Sequence, residues 1–149
     1  KSAYYAAMTT AAYRHAIDAA VEGKPLEPIW RAEVDKVSHR HYSTGFYYGQ
    51  PGQYTDSARY IRDWQVLAIV TDCDQDGNAT LSLRNKFTAG DQIEVVGPDV
   101  PAFPLTAPLM TDGEGFTLAQ PRHPQMVFHM KLPRPVPPLS VVRACRPNS

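Results

Sequence analysis

Eleven of the 14 prolines lie at or beyond Pro98. Proline has no backbone N–H, breaks helix interiors and is confined to strand edges, first positions and bulges. The C-terminal third is therefore held to short, punctuated strands. The residues before it already read as β-structure. From Trp64 the apolar period changes from helical to two, and Trp64 to Thr71 is strongly β-prone. Asp72 to Asn78 forms a turn. Ala79, Leu81, Leu83 and Phe87 then make an inward face opposite Thr80, Ser82, Arg84 and Lys86. Ala89-Gly90-Asp91 turns the chain into Gln92–Val96. Further short strands are expected near Phe103–Ala107, Phe116–Ala119, Gln125–Met130 and Leu139–Arg143, with a hairpin turn at Asp112–Gly115. Strands of this spacing predict a small antiparallel β-barrel, closed or partly open.

The N-terminal part is different. Lys1 to about Val21 is alanine-rich and free of Gly and Pro, which predicts a helix, with Ser2 as its cap. Tyr5, Met8, Ala12, Ala16 and Ala19 share one face, and Tyr13, Ile17 and Val21 another. A helix apolar on two faces is usually covered on two sides. Gly23 ends it. Pro28 to Ser38 predicts a second helix, with Trp30, Val34 and Val37 as its stripe. The fold class is thus mainly β, with two α-helices before the barrel: a helical segment over 1–38 and a barrel domain over 39–149.

Between helices and strands lies Ser38–Gly49, SHRHYSTGFYYG, which has no aliphatic residue. Aromatic faces, imidazoles and a guanidinium between two glycines read as a functional or junction loop. Length and composition set the other bounds. A chain of 149 residues, 43% hydrophobic, can bury one real core. No apolar run reaches a membrane span and no secretory signal opens the chain. Cys73 and Cys145 have no CxxC or metal-type spacing and fit a reducing cytosol. Lys1 stands inside the first helix without an initiator Met, which points to a piece of a longer protein. The net charge is zero but unevenly spread. Thr88 to Glu114 carries five acids and no Lys or Arg, whereas Gly115 to Ser149 carries Arg122, Lys131, Arg134, Arg143 and Arg146 and no acid. Either the two stretches neutralise each other, or the basic one meets a polyanion.

The sequence offers little catalytic chemistry. Asp72, Asp74, Asp76 and Gly77 match the first half of a calcium loop, but its twelfth position is Leu83 and the flanks read as strands, so a polar hairpin turn accounts for them better. His39 and His41 lack the further ligands of a zinc site. GxSxG, a Walker loop and GxGxxG are absent. What remains is basic plus aromatic. Arg40, Arg62, Arg84, Lys86, Arg122 and His123 are candidates for phosphate contact, and Tyr42 and Tyr47 for stacking on unpaired bases. The alternative is that the tyrosines pack and the arginines pair with nearby aspartates.

Several ordered blocks resemble the peptidase U32 family. Lys1-Ser2-Ala3-Tyr4-Tyr5 with Ala12-Tyr13-Arg14 is similar to the end of its catalytic region. Val37-Ser38-His39-Arg40 with Tyr42-Ser43-Thr44-Gly45-Phe46 resembles the start of its C-terminal domain. Arg84-Asn85-Lys86-Phe87, Gly90-Asp91, Glu94-Val95-Val96-Gly97-Pro98 and His123-Pro124-Gln125 resemble later segments. The family includes collagenase-like peptidases, bacterial enzymes that hydroxylate a wobble uridine of tRNA using prephenate, and relatives acting on ribosomal RNA. The resemblance implies a C-terminal barrel similar to the second domain of translation elongation factors, and a catalytic TIM-type barrel outside these residues. Neither cysteine matches a cluster motif, so no cofactor, metal or catalytic site is expected here. The expected role is a cytoplasmic accessory domain that contacts its own catalytic domain and positions tRNA or rRNA. The alternatives are a domain recognising a protein substrate, and a docking domain with no ligand.

Overall fold

The computed structural model describes residues 2–40, 42, 45–49, 61 and 63–146. They divide into two compact units, one running to Asp63 and one spanning Trp64–Arg146.

In the first unit, α1 (Ala3–Val21) starts where the Ser2 hydroxyl accepts the Tyr5 N–H at 3.2 Å. It stops at Gly23, whose φ of 67° is open to a residue without Cβ. Gly23 and Lys24 donate back to the carbonyls of Ala20 and Ala19. Met8 and Ala12 are buried, while Tyr13, Ile17 and Val21 are exposed, so the two apolar faces have different fates. The second helix is shorter than predicted: α2 is Pro28–Glu33. Beyond it, Val34, Asp35 and Lys36 donate to carbonyls only three residues back, and turns replace the helix. Its apolar stripe is still used, since Trp30 and Val37 are buried and the Trp30 ring stacks on His15 at 3.6 Å. His39 and Ile61 form a two-way backbone bridge, so the segment after α2 belongs to this unit.

The second unit is one sheet of eight antiparallel strands. They are β1 (Trp64–Cys73), β2 (Asn78–Leu83), β3 (Gln92–Gly97), β4 (Val100–Thr106), β5 (Met110–Thr111), β6 (Thr117–Leu118), β7 (Val127–Lys131) and β8 (Val141–Cys145), in the order β4-β3-β8-β1-β2-β7-β5-β6. The mainly β class with two leading helices is as the sequence predicts. Closure, one of the two forms the sequence left open, is not seen: among the described residues β4 and β6 do not pair, and the sheet is open. Pro101 and Pro104 explain one edge, because β4 cannot offer a full row of N–H donors to a further strand. β6, with two residues, is too short to form the other seam.

The alternation of β2 buries Ala79, Leu81 and Leu83 as predicted, and Phe87 follows them into the core beside Phe128, ring centroids 5.9 Å apart. Leu67, Val70, Val95, Met110, Leu132 and Val142 complete that core. β1 breaks strict alternation: Leu67 and Ala68 are both buried because the register with β8 shifts between Val66 and Ala68. Cys145 pairs with Trp64 at the start of β1 and Cys73 lies at its far end, so the two thiols are free and separated by a strand's length. No helix among the described residues is long and apolar enough to cross a membrane.

Candidate functional site

Four of the predicted contact residues come together at one end of the sheet. Arg84 and Lys86 leave β2 in a loop fixed at several points. The N–H groups of Arg84 and Asn85 both donate to the Leu67 carbonyl, at 2.7 and 3.0 Å. The Asn85 side-chain amide donates to the Val66 carbonyl at 2.7 Å. Phe87 is buried, which leaves its neighbours Lys86 and Thr88 facing solvent. The Arg84 guanidinium lies back on its own strand, donating to Ser82 Oγ at 2.8 Å and to the Leu83 carbonyl at 3.2 Å.

Arg122 and His123 are 38 and 37 residues from Arg84 and Lys86 in sequence, yet in space their loop is adjacent. Leu83 donates to the Met126 carbonyl at 2.9 Å, and Gln125 donates to the Leu83 carbonyl at 3.1 Å. Met126 closes the loop by donating to the His123 carbonyl, and its sulfur accepts the Arg122 N–H at 3.3 Å. Arg84, Lys86, Arg122 and His123 are all exposed. Lys86 and Arg122 have no ion-pair partner among the described residues. Cations held this way on braced loops suit anionic groups spaced along a backbone.

Arg146 is a residue the sequence reading did not single out for this end. Its Nη1 donates to Gln65 Oε1 at 3.1 Å and to the Lys86 carbonyl at 2.9 Å, and its Nη2 pairs with Asp91 at 3.2 Å. Its place directly after β8, in the acid-free stretch, was the available signal. Together with the Arg143–Glu94 pair at 2.9 Å, this contact shows the acidic and basic stretches lying side by side. Arg143 is fully buried and also lies 4.9 Å from the Trp64 ring centre, so it is withdrawn from any polyanion.

The remaining candidates lie in the first unit, except Arg62, which falls outside the described residues together with His41. Arg40 is exposed. Tyr42 is fixed at two points: its hydroxyl donates to the Val34 carbonyl at 2.6 Å, and its ring stacks on His39 at 4.5 Å with an interplanar angle of 7°. Burial first, then the Asp35 carboxylate, pushes its phenol above the usual range. One face is thus occupied by imidazole while the residue stays 60% exposed, the geometry of a prebuilt stacking surface. Tyr47 is 89% exposed and stands with Phe46 and Tyr48 between Gly45 and Gly49, both at positive φ. The cleft between the two helices, about 220 Å³, is lined by Asp18, Glu22 and Glu27, with Lys24, His15 and Trp30 beside them, and Lys24 is paired with Glu22 at 2.7 Å.

The Asp72–Gly77 segment is a hairpin turn. Asp74 spends its carboxylate on the N–H groups of Asp76 and Asn78 and on the Asn78 amide, at 2.7–2.9 Å. The Lys131 ammonium donates to the Asp76 carbonyl at 2.6 Å and to the Asn78 side-chain oxygen at 3.2 Å, tying β7 to the turn. The hydrogen bonds to Asp74 hold its carboxyl below its usual range. A lowered folded value contributes stability above the unfolded value, near pH 3.9, and loses it as pH falls through the folded one. The wild-type advantage over Asp74→Asn in urea unfolding is therefore expected to stay constant above about pH 5 and to shrink below about pH 4; an advantage independent of pH would contradict the turn's ionic character.

Comparison with known proteins follows the same division. Over 96% of its length the chain is 30% identical to tRNA hydroxylation protein P1 of Bacillus subtilis, and it spans 36% of that protein. It is 33% identical over 66% of its length to tRNA hydroxylation protein P of Haemophilus influenzae, spanning 22% of that relative. The chain thus covers only about a third or less of these relatives. The crystal structure of the C-terminal domain of a Geobacillus thermoleovorans protein assigned to the U32 peptidases matches 57% of the chain and 93% of that domain, with a TM-score of 0.51 and 29% identity. Residues 1–57 match the model of peptidase family U32 and residues 62–143 match that of its C-terminal domain, and the chain accordingly belongs to peptidase family U32 and carries the family's C-terminal domain.

Proposed function

We propose that the second unit is a non-catalytic accessory module that positions tRNA, or another structured RNA, for a catalytic domain outside these residues. The observation that carries this reading is the group of Arg84, Lys86, Arg122 and His123 on two loops braced through the Leu83 backbone. Phosphates are read by such fixed cations, while Tyr42 and Tyr47 of the first unit offer faces to unpaired bases. The similarity to tRNA hydroxylation proteins supports the choice of RNA over a peptide. The exposed stripe of Tyr13, Ile17 and Val21 on α1, within the part that matches the peptidase U32 model, serves as the surface for the protein's own catalytic domain. The setting is the cytoplasm, where tRNA is found.

The test compares salt slopes. Each phosphate contact contributes nearly one unit to the slope of log affinity against log salt. Arg84→Ala with Arg122→Ala is expected to flatten the slope for bulk tRNA by about two units and to weaken binding at least about tenfold at low salt. A slope equal to that of wild type would remove these residues from the interface.

A further inference from the structure

We infer that Arg146 is a positioning residue for the cationic loop, holding Lys86 in place for phosphate while making no phosphate contact itself. This rests on the RNA reading above. Both Nη1 protons are committed, one to the Gln65 side chain on β1 and one to the Lys86 carbonyl, and Nη2 reaches the Asp91 carboxylate. One planar fork thus ties both ends of the loop 86–91 to the start of β1, a central strand of the sheet. The same Asp91 oxygen accepts the Thr88 N–H at 3.0 Å, so the carboxylate braces the loop from inside while the guanidinium braces it from outside. The loop's far side is pinned where Ala89 donates to the Ala119 carbonyl and Gly90 to the Ala107 carbonyl. With its charge countered by Asp91, Arg146 is a poor partner for RNA. Lys86, whose carbonyl it holds, has an ammonium without an ion-pair partner among the described residues. Lysine cannot replace the fork, because a single ammonium on a flexible stem does not span three acceptors in fixed geometry.

The experiment uses the full chain as wild type, Arg146→Ala, Arg146→Lys, Lys86→Ala and the Arg146→Ala/Lys86→Ala double variant. Bulk tRNA is titrated across a salt series, and amide hydrogen exchange is followed over residues 84–91 without RNA. Arg146→Ala is expected to weaken tRNA binding about fivefold, the scale of one hydrogen bond lost from the clamp, with an unchanged salt slope because Lys86 keeps its charge and still reaches phosphate. Arg146→Lys is expected to behave like Arg146→Ala. Lys86→Ala should lower the slope by about one unit. In the Lys86→Ala background the further change at Arg146 should cost less than about twofold, since the residue acts through Lys86. Exchange over 84–91 should quicken in both Arg146 variants. A slope that falls by one unit in Arg146→Ala would make Arg146 a direct phosphate ligand and overturn the inference, as would unchanged exchange. Should the wild-type chain bind no tRNA, the RNA reading falls. Exchange then decides the clamp by itself: faster exchange over 84–91 upholds it and unchanged exchange overturns it.

Discussion

Replacing Glu94 by alanine is expected to destabilise the second unit by about 3 kcal/mol, more than replacing Arg143 by methionine. The pair is asymmetric. The Arg143 side chain is fully buried, whereas Glu94 is 22% exposed, and the carboxylate takes both Nε and Nη2 of the guanidinium at 3.2 and 2.9 Å. Removing Glu94 takes from a buried cation the carboxylate that holds two of its N–H groups, the costly half of such a pair. Removing the guanidinium instead leaves a carboxylate that reaches water, and methionine fills part of the vacated volume. About 1–2 kcal/mol is expected for that change. The double replacement Glu94→Leu/Arg143→Met should recover most of the loss, because two apolar groups carry no desolvation cost. Urea unfolding of the three variants checks the order. An Arg143→Met loss larger than that of Glu94→Ala would contradict it.

Alanine at Gly77 is the second large effect expected. Gly77 has φ +85° in the β1–β2 turn, and a Cβ built there meets the Leu132 carbonyl oxygen at 2.5 Å. That oxygen is backbone and cannot swing aside. The strand is held in place because Leu132 donates to the Gly77 carbonyl at 2.8 Å. Left-handed strain costs about 1–2 kcal/mol and the collision adds to it, for an expected total of about 3 kcal/mol. Gly113→Ala is the control: φ there is ordinary, nothing lies within 4 Å, and the change should stay within about 0.5 kcal/mol. Thermal unfolding of the two variants compares them, and equal losses would refute the steric account.

Local patterning made much of this fold legible. The alternation of Ala79, Leu81, Leu83 and Phe87 named four core residues, and Ser2 and Gly23 marked the ends of α1, because each depends on neighbours close in sequence. What depended on distant partners was not legible. β5 is two residues long, too short to show a period, and exists because Met110 and Thr111 pair with Met130 and His129. The stripe of Trp30, Val34 and Val37 kept a helical spacing through a segment that turns without being helical. Openness at β4 was written in Pro101 and Pro104, but which strand would face them was not.

The candidate site shows the same limit. Arg84 with Lys86, and Arg122 with His123, read as two separate basic elements until the Leu83 backbone joined their loops. Arg143 and Arg146 read alike in the acid-free stretch. The register that sets Glu94 opposite Arg143 buries the first, and the chain's exit from β8 leaves the second to clamp a loop.

The most direct measurement of the central claim is a titration of this chain with bulk tRNA by fluorescence anisotropy, at low and at moderate salt. Saturable binding is expected at low salt and should weaken steeply as salt rises, because Arg84, Lys86 and Arg122 neutralise several phosphates and their condensed counterions are released to bulk solvent. Absence of binding at low salt, or an affinity indifferent to salt, would contradict it and leave the cationic end of the sheet without an RNA role.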